Sequence, residues 1–208
     1  MIEAKKITKK YGNKTVLDNF SITINDGEFV SVIGESGSGK STLINVLGLL
    51  ESITAGDIII ENIKNPDKKA SMLLMRNSFG YVFQNYALIE NETVENNLKI
   101  ALEYRKVKSR SQEIRDALEF VNLRGFEKRK VYELSGGEQQ RIAIARVCVK
   151  ECRYIFADEP TGNLDKKNRE IVYDLLKSLS NQGKSIICVT HDTDLASKAD
   201  KVVEIQSL

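Results

Sequence analysis

Three short segments carry residue types suited to handling a polyanion. Gly34-Glu35-Ser36-Gly37-Ser38-Gly39-Lys40-Ser41 fits the pattern G-x-x-x-x-G-K-[ST]. Glycines let successive backbone N–H groups curl around an anion, and a helix beginning there adds its partial positive charge. In that arrangement Lys40 reaches the β- and γ-phosphates and the Ser41 hydroxyl helps hold Mg²⁺. The second segment, Tyr154-Ile155-Phe156-Ala157-Asp158-Glu159, is an apolar run ending in two carboxylates. Beside a phosphate loop, Asp158 is placed to meet Mg²⁺ directly or through water. Glu159, one residue on, projects differently and is the candidate base that orients or polarises an attacking water.

The third segment is Leu134-Ser135-Gly136-Gly137-Glu138-Gln139-Gln140-Arg141. Ser135 and Glu138 have capping-box spacing, and a helical pattern over Ile142 to Val149 follows. Gly136 and Gly137 each cost about 1 kcal/mol relative to Ala in a helix interior, yet they leave N–H groups open to a phosphate. The chain thus offers two phosphate-binding helix starts and one phosphate-loop lysine. The residues alone leave two readings: two nucleotides shared across a dimer, or one poorly capped helix. His191, the one histidine of the chain, follows a buried-strand pattern and comes after both phosphate elements, which makes it a functional candidate.

These residues need elements to hold them. Thr15 to Leu17 and Phe20 to Ile24 read as strand, followed by a turn at Asn25-Asp26-Gly27. Glu28 to Ile33 reads as a strand running into the glycines, Lys40 to Leu50 as a helix and Asp57 to Ile60 as a strand. From Asn91 to Lys130 the pattern is helical and charged, with Ile114, Ala117, Leu118 and Val121 on one helix face. Arg105 to Lys130 holds nine basic and four acidic residues. That is a solvated face or, more sharply, a surface near anionic lipid head groups. Tyr154 to Ala157, Ser185 to Thr190 and Lys201 to Ile205 read as strands. Ile171, Val172, Leu175, Leu176 and Leu179 form a helix face ended by Gly183. The alternation implies an α/β fold with a mostly parallel sheet covered by helices.

Composition narrows the classes. The 208 residues are 41% hydrophobic and 29% charged, which suits one globular unit with its own core. No uncharged apolar run approaches the roughly 18 residues that span a bilayer. The start, Met1-Ile2-Glu3-Ala4-Lys5-Lys6, has no apolar stretch of the kind a secretory leader needs. Net charge is +2, from 31 basic and 29 acidic residues, and this argues against binding nucleic acid by bulk charge. Cys148, Cys152 and Cys188 contain no Cys-x-x-Cys pair and read as reduced, buried small hydrophobes, with Cys148 and Cys152 as helix neighbours.

Leu134 to Arg141 resembles the signature motif of ATP-binding-cassette (ABC) ATPases, and at this distance after a phosphate loop the likeness extends over almost the whole chain. It implies a P-loop NTPase core with a mostly parallel sheet, an N-terminal antiparallel β subdomain and a helical subdomain at roughly 85–140. All of these would form one nucleotide-binding domain over 1–208. Tyr11 resembles the aromatic residue that stacks on adenine. Gln84, in Tyr81-Val82-Phe83-Gln84-Asn85, resembles the glutamine that touches Mg²⁺ and senses the membrane partner. Asn163-Leu164-Asp165 resembles the loop along the dimer interface, and His191 the switch histidine that contacts the γ-phosphate. The family's head-to-tail dimer would sandwich ATP between Gly34, Ser36, Gly37, Ser38, Gly39, Lys40, Ser41 and Thr42 of one chain and Ser135, Gly136 and Gly137 of the other, with Asp165 nearby. ATP closes the dimer, and hydrolysis reopens it.

Glu159-Pro160-Thr161-Gly162-Asn163-Leu164-Asp165 resembles the branch containing lipoprotein-releasing, macrolide-efflux and cell-division ATPases, and the short chain with Thr93-Val94-Glu95-Asn96-Asn97 resembles its small bacteriocin- or peptide-export members. That implies a permease-like integral membrane subunit on a separate chain, no nucleic-acid partner, and a cytoplasmic place on the inner face of the membrane. Val147, Glu151-Cys152 and Phe156 depart from the family's usual residues and bear on packing. A DNA-acting relative would insert a long coiled coil, but only 94 residues separate Lys40 from Ser135 and no long heptad run lies among them. A translation-type relative would carry two cassettes. An ATPase that regulates a membrane-bound enzyme without moving a solute remains the alternative.

Overall fold

The computed structural model describes residues 1–206, without the side chains of Asp194 and Leu195. Two sheets share the chain. β1 (Ile2–Tyr11), β2 (Lys14–Ile24), β4 (Ala55–Ile60) and β5 (Ile63–Lys64) form an antiparallel sheet in the order β2-β1-β4-β5. β3 (Phe29–Ile33), β6 (Phe79–Phe83), β7 (Tyr154–Asp158), β8 (Ser185–Val189) and β9 (Lys201–Glu204) form a second sheet in the order β6-β7-β8-β3-β9. Every pairing in the second sheet is parallel.

The parallel strands are covered on both faces, so their apolar runs are nearly continuous and split with period two. Phe29, Ile155, Ala157, Ile186 and Cys188 join one core. There they meet α3 (Val94–Ala101), α4 (Arg110–Phe120), α5 (Gly136–Lys150) and α6 (Lys166–Asn181). Val30, Val32, Tyr154, Phe156, Ile187 and Val189 join the other core, with α1 (Lys40–Leu47) and the antiparallel sheet. α2 (Lys68–Asn77) contributes only Leu74 as a fully buried residue, and α7 (Thr193–Ala196) is one short turn.

Several elements differ from expectation, each for a local reason. The helix after the glycines stops at Leu47 and not Leu50, because Gly48 caps it and Leu49 takes φ +59°. The charged span from Asn91 resolves into α3, α4, a single 3-10 turn at Val131–Glu133 and ordered connections. Ile114, Ala117 and Leu118 are buried on α4, and Val121 is buried at its C-cap. Arg105 is committed to Glu113, Glu151 and the Val149 carbonyl, so part of the basic excess is internally paired. Cys152 lies beyond the end of α5, past Glu151 in the left-handed region, and is not a helix neighbour of Cys148. Its thiol donates to the Val147 carbonyl. Burial raises all three thiols above their ordinary range, Cys148 to about 12.

Candidate functional site

One edge of the parallel sheet delivers most of the chemistry. β3 runs into Gly34, β6 into Gln84, β7 ends at Asp158 and leads to Glu159, and β8 leads through Thr190 to His191. In an open parallel sheet this carboxyl edge is where ligands bind. Lys40 is buried, and its Nζ donates 2.8 Å bonds to the Gly34 and Glu35 carbonyls, which drapes the loop around the ammonium. Gly34 has no alternative: a Cβ there would meet the Ile205 carbonyl, and Ser38 Oγ at 2.8 Å. Gly37 has open space around its Cβ position, and Ser36 and Gly37 are exposed at the loop's crest.

Asp158 and Ser41 meet as the residue types foretell. Ser41 Oγ donates to Asp158 Oδ1 at 3.2 Å, across 117 residues of chain. Burial raises the Asp158 carboxyl above its usual range, opposed by the Ser41 hydroxyl and the Lys40 ammonium. Glu159 departs from the strand with φ +45°, unusual for a residue with a side chain. Strain of this kind is found where a side chain must be aimed. Its Oε2 lies 2.9 Å from His191 Nδ1 and also receives the His191 backbone N–H at 3.4 Å. A carboxylate only accepts, so Nδ1 carries the hydrogen and Nε2 is left for a further partner.

The remaining predicted residues form a second group. Gln84 Nε2 donates to Asn163 Oδ1 at 3.3 Å. Asp165 caps α6 and accepts from the Asn168 backbone and side-chain N–H groups, both at 2.8 Å, which holds its carboxyl below the usual range. Ser135 and Glu138 form the complete capping box at the start of α5, with bonds of 2.8 and 3.3 Å. The poorly capped reading of that helix is therefore excluded. The two glycines also have a reason inside this chain. A Cβ on Gly136 would stand 2.7 Å from the Tyr86 hydroxyl, and one on Gly137 would stand 2.5 Å from Asn168 Cγ. Ser135 is exposed, and no hydrogen bond or ion pair among the described residues joins Ser135–Gly137 to Gly34–Thr42. Tyr11 is exposed at the end of β1, its hydroxyl donating to Glu51 with the Thr42 hydroxyl beside it.

Sequence reasoning missed the clamp on the Gln84 loop. Arg146, on α5, donates to the Tyr86 carbonyl at 3.1 Å, to the Tyr81 carbonyl at 3.4 Å and to the Ala87 carbonyl. Burial pulls its guanidinium below the ordinary range. Consecutive left-handed residues Tyr86 and Ala87 turn their carbonyls toward it. A basic residue within a helical run carries no sign of such a duty.

The donor set suits a nucleotide with a divalent cation. Ser38 Oγ, buried and without a hydrogen-bond partner, sits inside the loop. Among the described residues no cluster of three or more His, Cys, Asp or Glu could cage a metal alone. One carboxylate and one hydroxyl match Mg²⁺, which takes few protein ligands and shares phosphate oxygens.

A family model described as ABC transporter matches residues 17–162. YvrO of Bacillus subtilis (strain 168), described as an uncharacterized ABC transporter ATP-binding protein, is 41% identical over 99% of this chain and 93% of its own length. MacB of Campylobacter jejuni (strain 81-176), described as a macrolide export ATP-binding/permease protein, is 39% identical over 99% of this chain. The alignment covers 33% of MacB, so the chain spans about a third of that relative. MJ0796 of Methanocaldococcus jannaschii has been solved as a dimeric bacterial ABC transporter cassette. That structure superposes with a TM-score of 0.90 at 37% identity, over 99% of this chain and 94% of that one. A second structure of it, described as a post-hydrolysis state bound to ADP and Pi, gives 0.88. With this family match and these identities, the chain belongs to the ABC transporter family, as an ATP-binding ATPase cassette.

Proposed function

We propose that the chain binds Mg²⁺–ATP between its own Gly34–Thr42 loop and the Ser135–Gly137 helix start of a second cassette. It hydrolyses the nucleotide there and drives export through a separate permease-like membrane protein. The observation that carries the reading is the convergence of Lys40, Ser41, Asp158, Glu159 and His191 at one sheet edge. Lys40 gives its ammonium to the β- and γ-phosphates in place of the two loop carbonyls. Ser41, Asp158 and Gln84 would hold Mg²⁺, which neutralises charge on the phosphate oxygens when bound. Glu159 accepts the proton of the attacking water, and His191, tied to Glu159 at Nδ1, contacts the γ-phosphate through an Nε2–H donor, both ring nitrogens then carrying hydrogen. Tyr11 supplies the ring on which adenine stacks.

Two features support a composite site. Ser135, at the N-terminus of its capped helix, is exposed, yet among the described residues no hydrogen bond or ion pair joins it to the loop of its own chain. MJ0796, a close match, is described as dimeric. The likeness to MacB, described as an ATP-binding/permease protein, supports a permease partner and the export direction. No helix among the described residues is long and apolar enough to cross a membrane, and we place the cassette on the cytoplasmic face beside that partner. Residues 85–140 then serve as the helical subdomain that joins Gln84 to the signature helix.

The test is a pull-down of tagged Glu159→Gln protein from native membranes with ATP. Removing the base slows hydrolysis by orders of magnitude and traps the closed dimer. We expect a multi-span membrane protein in stoichiometric amount. Recovery of a soluble ATP-bound dimer alone would favour a regulatory ATPase and overturn the export reading.

A further inference from the structure

Tyr11 is 45% exposed, yet it is not free. Its hydroxyl donates to Glu51 Oε2. Glu51 lies in the connection after α1, where Leu50 N–H and Glu51 N–H both return to the Asn45 carbonyl, at 2.8 and 3.2 Å. The Asn45 side chain, on α1, donates to Glu51 Oε1 at 3.1 Å. Lys9 Nζ stands 3.2 Å from Glu51 Oε2, donates to the Ser52 carbonyl at 2.8 Å, and lies 4.8 Å from the Tyr11 ring centroid. The carboxylate thus gathers a phenol from β1, an ammonium from β1 and an amide from the helix that begins at the phosphate loop. Its donors, Tyr11 first, hold the Glu51 carboxyl below the usual range, and Glu51 in turn raises the phenol.

We propose that Glu51 is a positioning residue for the nucleobase: it locks the Tyr11 ring to α1 and holds the Lys9 ammonium at that ring. The inference rests on Tyr11 being the base platform. A platform is useful only if its plane is set before the base arrives, since an exposed ring otherwise loses side-chain freedom on binding. Here the plane is tied, through Glu51 and Asn45, to the same helix that carries Lys40, Ser41 and Thr42. Base and phosphate subsites therefore sit at one fixed separation. The nearby ammonium interacts with the ring's π system and makes it a better partner for an electron-rich purine.

Titration calorimetry with Mg²⁺ separates the two subsites, using ATP and inorganic triphosphate, which has no base. Wild type is compared with Tyr11→Ala, Glu51→Leu and Glu51→Gln. Glu51→Leu is expected to weaken ATP about tenfold, the worth of a hydrogen bond and the order it maintains, and to change triphosphate less than about twofold. Glu51→Gln, whose carbonyl still accepts from the phenol, is expected to recover most of the ATP affinity. Equal loss for both ligands in Glu51→Leu would mean a merely structural residue and overturn the proposal. So would unchanged ATP affinity in Glu51→Leu when Tyr11→Ala lowers ATP alone. If Tyr11→Ala leaves the ratio of ATP to triphosphate affinity unchanged, the base-platform reading itself fails, and the proposal with it. Triphosphate binding in each variant reports that the phosphate loop is folded.

Discussion

Asp158 carries, at the scale of one residue, a stability cost that its proposed place at Mg²⁺ would account for. Its carboxylate is half-buried against Ser41 and Lys40, and burial outweighs both. A carboxyl whose folded pKa is raised destabilises the folded state while ionised. That penalty is present above the folded pKa and disappears as pH falls through it toward the ordinary aspartate range. Asp158→Asn keeps an acceptor for Ser41 and removes the charge. The ligand-free variant should melt at a higher temperature than wild type at neutral pH, with the difference shrinking on acidification through the raised pKa. Its Mg²⁺-dependent turnover should fall by about a hundredfold or more, the scale set by losing one preorganised electrostatic contact at a reacting centre. Thermal melts over a pH series, set beside phosphate release, check both halves. A variant that melts lower at neutral pH would contradict the burial account.

At the scale of elements, the start of α5 is the informative place. Glycine is a poor helix former, and Ala at Gly137 should gain about 1 kcal/mol from propensity alone. The structure reverses that expectation, because the new Cβ meets the Asn168 side chain, which is held by Asp165. Gly137→Ala should therefore destabilise by about 1–2 kcal/mol, the usual scale of overpacking. In an Asn168→Ala background the same change should stabilise instead. Urea midpoints at constant slope read the sign, and a Gly137→Ala penalty that persists in that background would rule out Asn168 as its cause. What the sequence showed follows the same logic of local against distant causes. The phosphate loop, the Asp158-Glu159 strand and the capping box were legible because each is a contiguous pattern with one physical use. β1 was not, because bulges between Ala4 and Lys10 break its alternation and Lys6 takes φ +47°. α2 was not, because it buries little beyond Leu74. β6 was not, because Gly80 thins it to admit Cys152 and Val147, contacts from far along the chain. Glu51 and Arg146 gave no signal for the same reason: their partners are set by tertiary structure alone.

For the whole molecule, the two constellations divide the work. Lys40, Ser41, Asp158, Glu159 and His191 form one, while Gln84, Ser135–Gly137, Asn163 and Asp165 form the other, braced by Tyr86, Arg146 and Asn168. In the head-to-tail pair proposed above, each site would take the first group from one copy and the signature helix from the other. Binding to one chain and closure of two are then separable. Ser135→Arg places a bulky cation at the exposed helix start without touching the phosphate loop. ATP binding to the single chain should stay within about twofold of wild type, while the ATP-dependent dimer disappears from light scattering and turnover falls with it. Equal loss of binding and dimerisation would contradict the division.

The burial of the three thiols reaches beyond packing. A thiol reacts as its thiolate, and burial keeps Cys148, Cys152 and Cys188 protonated at neutral pH. A cysteine introduced at Ser111, exposed on α4 and outside the nucleotide site, would then be the one fast-reacting sulfur of the chain. Spin labels or cross-linkers could be attached there with every native cysteine left in place, and the opening and closing of the pair read as a distance between two probes.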